Sequence, residues 1–292
     1  MFSSIKALQN KAVRKTANKN NHPLHPPLSL VLSSLQLYRS NFWLMVGYSA
    51  WLLFPFCGYF LLSFFPEQNS IIFIFDTLFS ITEFLITFWV GIIFILMVNA
   101  LTEKQPFDAI GLKNVSLSFL RPTARVFLLH ILLVFLGFIL LVIPGFIAIV
   151  WFAFAQTSVI LDGKRGKDAL SFSRGLSKGR FFRVLYRLIG GPILIGFVYF
   201  LFVAVLISIV GGFSGFDPTQ TTQTLQPPAW VDLLESTLGI FVIPLLATYM
   251  TILYKHLKET RDPSAKQETV AQDDKDKITE DGHETTPLQP HS

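Results

Sequence analysis

The sequence predicts an all-α polytopic membrane protein, with about six transmembrane helices arranged as three hairpins and amphipathic elbow helices on the cytoplasmic side. Three observations predict it. Apolar residues make up 51% of the 292 residues and charged residues only 15%, against roughly a quarter in soluble domains. The mean hydropathy is +0.51, and 30 residues are Phe. All 24 Lys and Arg residues fall in segments on one side of the apolar runs. The clustering of the apolar residues excludes a disordered chain and a soluble enzyme. The single cysteine, Cys57, excludes a disulfide scaffold.

A bilayer core about 30 Å thick needs about 20 apolar residues per helix. The first such run is Phe42 to Phe65, which holds no charge. The second lies between Ile71 and Leu101 and is too long for one perpendicular helix, so the span is placed at Leu78 to Ala100. The third is Val126 to Ile143 and the fourth Phe146 to Leu161; only Pro144-Gly145 separates them, which reads as a tight break. The fifth, Val184 to Gly212, is interrupted by Gly190-Gly191-Pro192, and the sixth, Val231 to Tyr254, contains Pro244. Proline is tolerated there because neighbours re-satisfy the freed backbone groups. Gly47, Gly58, Gly91 and Gly196 suit close helix packing, and Trp43, Trp89 and Trp230 suit interfacial anchoring.

Lys and Arg resist translocation, so short loops rich in them stay inside. Six cations precede span one, four lie between spans two and three, eight surround the loop between spans four and five, and six follow span six. The opposite loops hold none; the segment from Phe213 to Trp230 carries only Asp217. Both termini are therefore expected in the cytoplasm, with the protein multi-pass in the cell (inner) membrane. No secretory signal pattern opens the chain. A basic stretch without acids before Glu67 leaves a mitochondrial address as the alternative.

Residues 1–27 read as a disordered basic tail, 28–258 as the six-span domain and 259–292 as a disordered polar tail. His22 and His25 lack a second ligand pair, so no metal or other cofactor is expected, nor is a nucleic-acid partner. The segment from Lys164 to Phe182 is more informative. At 100° per residue Lys167, Ser171, Arg174 and Lys178 share one face, and Ala169, Phe172 and Leu176 the opposite one. This predicts a short basic amphipathic helix lying in the inner interface. Lys167, Arg174, Lys178 and Arg180 would attract anionic phospholipid headgroups, at about 1 kcal/mol per charge. Gly175 and Gly179 weaken it as an isolated helix; a solvated charged loop is the competing reading.

A comparable element precedes span one, with Leu28, Val31, Leu32, Leu35 and Tyr38 on one face and Ser29, Ser33, Gln36 and Ser40 on the other. It runs into Arg39-Ser40-Asn41-Phe42-Trp43, as the later element runs into Lys178-Gly179-Arg180-Phe181-Phe182. A looser version, Phe119 to Phe127, precedes span three. The expectation is three units, each an elbow followed by a hairpin; chance similarity of basic-aromatic membrane borders competes with it.

Between Val142 and Val184 the chain reads Val-Ile-Pro144-Gly145-Phe, then Phe152-Ala153-Phe154-Ala155, then Asp162, then Ala169-Leu170-x-x-Ser173-x-x-Leu176-x-x-Gly179-Arg180-Phe181-Phe182. This resembles the bacterial glycerophosphoryl diester phosphodiesterase membrane-domain family, in its Pro-Gly hairpin (Pro144, Gly145) and its Ala-Leu-x-x-Ser-x-x-Leu-x-x-Gly elbow (Ser173, Gly179). The resemblance implies about six spans in a bacterial inner membrane. It does not imply phosphodiesterase activity: a separate acidic metal-binding barrel follows the spans in the enzyme members, and only a short tail follows here.

No phosphate loop, paired-cysteine site or nucleophile elbow occurs. Ionisable groups inside the membrane are costly and so mark candidate sites. Glu83 in span two, with Asp76 two turns away, and His130 in span three are the candidates; Asn99, Gln156 and Ser158 sit near inner span ends. The expected function is that of a non-enzymatic polytopic protein organising lipid or a partner protein at the cytoplasmic leaflet. The alternative is a small-solute or lipid transporter that uses Glu83 and the Gly/Pro-broken fifth and sixth helices. A membrane enzyme would need convergent titratable groups, and only Asp76 and Glu83 approach that.

Overall fold

The computed structural model describes residues 26–62, 64–65, 70–105, 109–214 and 229–261. Both expected tails, apart from Pro26, Pro27 and residues 259–261, lie outside the described residues, as does Asp217. The chain divides into two compact units, His25–Tyr254 and a unit of Met1–Leu24 with Lys255–Ser292. In the second unit the described residues finish the last helix, where the Thr260 amide and hydroxyl both donate to the His256 carbonyl.

The main unit is all-helical among the described residues. A first elbow, α1 (Pro27–Ser40), leads into span one, built from α2 (Phe42–Ser49), a 3-10 turn (Ala50–Leu52) and α3 (Leu53–Leu62). Pro55 lacks an N–H and crowds the carbonyl four residues back, which tightens the preceding backbone. Then follow α4 (Ser70–Thr102), α5 (Ala109–Leu140), α6 (Val142–Phe152), α7 (Ala155–Asp162), the second elbow α8 (Gly166–Ser177), α9 (Phe181–Ser214) and α10 (Ala229–Glu259). Among the described residues six helical segments are long and apolar enough to cross a membrane: Phe42–Leu62, Ser70–Thr102, Gly111–Leu140, Val142–Asp162, Phe181–Phe213 and Thr237–Glu259.

The outward surface is hydrocarbon. Phe73, Leu132, Ile143 and Phe200 are each at least 59% exposed, on faces that water would not tolerate over so wide an area. The protein is thus a multi-pass membrane protein. Its core sits toward one end, where Val90, Ile93, Phe94, Met97 and Val98 of α4 meet Met45 of α2 and Tyr38 of α1.

Several expectations are corrected. The break between spans three and four falls at Leu141, an extended residue, and not at Pro144-Gly145. Pro144 sits in the first turn of α6, where its missing N–H would have had no partner in any case. Gly145 is the packing residue: a Cβ on Gly137 would lie 3.0 Å from the Gly145 Cα. The fifth and sixth spans are unbroken, because α9 runs through Pro192 and α10 through Pro244. Gly191 leaves room there for Tyr249, whose phenol donates to the Arg187 carbonyl at 2.6 Å. The Gly-Gly-Pro sequence is therefore a notch for a neighbouring side chain. Phe119 to Phe127 is no third elbow, since it continues inside the single helix α5 past Pro122. Of the small positions, Gly58 faces the Phe79 ring, but a Cβ at Gly47, Gly91 or Gly196 would meet nothing within 4 Å. Trp89 is no headgroup anchor either; its Nε1 donates to Ser116 Oγ at 2.9 Å, joining α4 to α5.

Candidate functional site

The fourth span is interrupted between α6 and α7, where Phe154 leaves the helical conformation (φ −102°, ψ 9°). A continuous helix would send the Phe154 N–H to the Val150 carbonyl. Instead Phe154 N–H donates to Ser173 Oγ at 3.2 Å, and the Ser173 hydroxyl donates to the Trp151 carbonyl at 2.8 Å. The vacated Val150 carbonyl accepts from the Ser177 hydroxyl at 3.5 Å. Ser158, one turn below, lies 2.7 Å from the Ala155 carbonyl and 3.4 Å from the Ala169 carbonyl of α8. Ser158, Ser173 and Ser177 are fully buried. The second elbow is thus hydrogen-bonded into the gap in span four. A buried backbone group left unpaired there would cost about 1–3 kcal/mol.

Helix α8 presents two faces to two environments. Ala169, Leu170 and Leu176 are buried, and Ala169 and Leu170 form one apolar cluster with Val126, Ala155 and Val159. The apolar face expected to enter the lipid interface is therefore spent on the protein's own helices, because Val126, Ala155 and Val159 offer it a preformed groove. Lys164, Arg165, Lys167, Arg174 and Lys178 are exposed on the other side. Two expected headgroup cations are engaged locally: the Arg174 guanidinium lies 4.2 Å from the centre of the Trp151 ring, and Arg180 Nε donates to the Leu176 carbonyl at 2.9 Å. Lys167 and Lys178 make no ion pair or hydrogen bond through their side chains among the described residues. Two glycines shape the corners. Gly163 ends α7 at φ +63°, returning its N–H and that of Lys164 to the Ser158 carbonyl; Gly179 turns the chain into α9 at φ +79°.

The first elbow is oriented differently from its expected faces. Leu30, Ser34 and Tyr38 turn inward, and Leu28, Leu32 and Leu35 point out, 45–57% exposed. Tyr38 is buried with no partner for its hydroxyl among the described residues, and burial pushes its pKa up to about 12.

Glu83 and His130 make separate contacts. Glu83 Oε2 lies 3.2 Å from the Tyr59 hydroxyl, which lies 2.9 Å from Ser80 Oγ; one small polar cluster thus joins spans one and two. The ring of His130 meets the edge of Phe152 at 6.1 Å. Asp162 accepts from the Tyr254 hydroxyl, tying α7 to α10. No group of three or more His, Cys, Asp or Glu side chains placed to hold a metal ion occurs among the described residues. A crevice of about 330 Å³ opens between α4, α5, α7 and α10, lined by Phe84, Phe88 and Phe127 and, from α7, by Gln156, Thr157 and Ile160.

Sequence reading singled out Ser158, Ser173 and Gly179 but missed Ser177. Its signal was present, since Ser173 and Ser177 stand four apart on the same face as Ala169 and Leu176. No family model, no curated protein and no solved structure matches this chain.

Proposed function

We propose that this multi-pass membrane protein is non-enzymatic and holds anionic phospholipid at the cytoplasmic leaflet on a rigid basic platform, as a membrane-domain relative of the family it resembles. The observation that carries this reading is the division of α8. One face is locked into the fourth span by Ser173 and Ser177; Lys167 on the opposite face, Lys164 and Arg165 just before the helix and Lys178 just after it are exposed without ion pairs among the described residues. A cation fixed by the fold loses less entropy on meeting a headgroup than one on a mobile loop. The transporter alternative loses the helix interruptions that motivated it, since α9 and α10 run through their prolines.

The test is the phospholipid preference of purified protein in nanodiscs of phosphatidylethanolamine with phosphatidylglycerol, read by native mass spectrometry. Lys167→Gln with Lys178→Gln should lower phosphatidylglycerol retention, by about fivefold per charge at low salt. Retention unchanged by the double substitution contradicts the proposal.

A further inference from the structure

We propose that the crevice between α4, α5, α7 and α10 holds one acyl chain of a glycerolipid, with the Gln156 amide donating to that lipid's ester carbonyl. The site is separate from the basic platform, since no residue of α8 lines it; only the assignment to the inner leaflet rests on the topology. Its volume, about 330 Å³, lies at the lower end of the roughly 300–1,000 Å³ typical of small-ligand sites, which suits one chain and not two. The walls are Phe84, Phe88 and Ile92 of α4 and Phe127 of α5, with Ala247 and Met250 contributed by α10. The three rings pack on one another at centroid distances of 6.3, 6.0 and 5.6 Å, so the aromatic wall is built and does not collapse into the opening. Gly91 contributes an open stretch, because a Cβ there would meet nothing within 4 Å.

The polar lining decides the ligand. Gln156 and Thr157 make no side-chain hydrogen bond among the described residues, although an amide without a partner in an apolar setting is unfavourable. The lining holds no ionisable side chain, so a carboxylate or an ammonium finds no counter-charge. A neutral acceptor is what the amide can satisfy. Depth agrees: Gln156 stands six residues from Asp162 at the inner end of α7, about 9 Å along the axis, and Phe88 stands 14 residues from the Thr102 end of α4, about 21 Å. From Gln156 to Phe88 the crevice thus runs about 12 Å along the spans, the course of an acyl chain within a leaflet about 15 Å deep.

The experiment reconstitutes the full chain in phosphatidylethanolamine vesicles that contain either a diazirine-bearing diester phosphatidylethanolamine or its dialkyl-ether counterpart, which lacks the carbonyls. After irradiation the labelled residues are mapped by mass spectrometry. In the unsubstituted protein the ester probe should label residues 84–95 and 247–251 at least threefold more than the ether probe, and Gln156→Leu should make the two equal. Gly91→Leu should cut labelling by either probe at least threefold, with Gly196→Leu, equally free of close neighbours, as the control that leaves it unchanged. Equal labelling by ester and ether probes in the unsubstituted protein overturns the carbonyl assignment. Undiminished labelling in Gly91→Leu, or labelling spread evenly over the exposed faces of α5 and α9, overturns the site. If Gly91→Leu fails to fold, the comparison of the two probes across the unsubstituted protein and Gln156→Leu still decides. Phosphatidylglycerol retention, read separately, tells failure here from failure of the platform.

Discussion

The two elbows share a border pattern, a cation and small polar residues followed by two aromatics, but they meet opposite environments. Helix α1 buries Leu30, Ser34 and Tyr38 and turns Leu28, Leu32 and Leu35 outward. Helix α8 buries Ala169, Leu170, Ser173, Leu176 and Ser177 and turns Lys167, Arg174 and Lys178 outward. The buried serines make the same point. Ser34 donates only to its own helix, to the Leu30 carbonyl at 2.7 Å, whereas Ser173 bridges two backbone groups at the break in the fourth span. A shared local pattern thus fixes where a span begins but not what the elbow beside it faces. The partner surface decides that: α1 lies along α9, with Pro27 near Gly190, while α8 fills a gap in the fourth span.

The sharpest way to break this contrast is to remove each serine. Ser173→Ala leaves the Phe154 N–H and the Trp151 carbonyl unpaired and buried, and should destabilise the protein by about 2–4 kcal/mol. Ser34→Ala deletes only a bond within its own helix and should cost less than about 0.5 kcal/mol. Chemical denaturation in mild detergent measures both, and equal losses would dissolve the distinction.

A smaller effect separates the outward faces. Leu32→Gln with Leu35→Gln removes apolar surface from an interface that lipid covers, and should speed hydrogen exchange of the α1 amides about tenfold, or about 1.4 kcal/mol of local opening. Lys167→Gln with Lys178→Gln should leave α8 exchange unchanged, because its hold is on the other face. Matching responses from both elbows would mean that they sit in one environment.

Tyr38→Phe should be neutral or stabilising by up to about 1 kcal/mol, since a buried hydroxyl without a partner contributes nothing favourable. It should also change the alkaline limb. The folded phenol stays neutral to about 12 while the unfolded one ionises near 10. The unfolded state therefore gains by releasing its proton as pH rises from 10 to about 12, and stability falls across that window. Tyr38→Phe should remove this component, read as a flatter stability profile over those pH values. The smallest effect is that of Lys167→Gln alone, within about 0.5 kcal/mol in detergent; it matters only for lipid.

The hydropathy of the chain made the six crossing segments legible, because a bilayer demands a minimum apolar length whatever the packing. The faces of α8 were legible too, since Lys167, Arg174 and Lys178 recur at helical spacing. What escaped depended on partners distant in sequence. Gly190-Gly191-Pro192 looks like an interruption until Tyr249, 58 residues later, is seen to use the space. Which face of α1 turns inward depends on α9. The break in span four depends on serines 19 and 23 residues farther on, which supply the hydrogen bonds that the helix gives up.

The account stands on which side of the membrane holds α8. With Cys57 replaced by Ser, single cysteines at Lys167 and at Thr221 can be probed with a membrane-impermeant maleimide on intact spheroplasts. The account predicts labelling of Thr221→Cys in intact spheroplasts and of Lys167→Cys only after permeabilisation. Labelling of Lys167→Cys from outside, or of both positions from the same side, contradicts it.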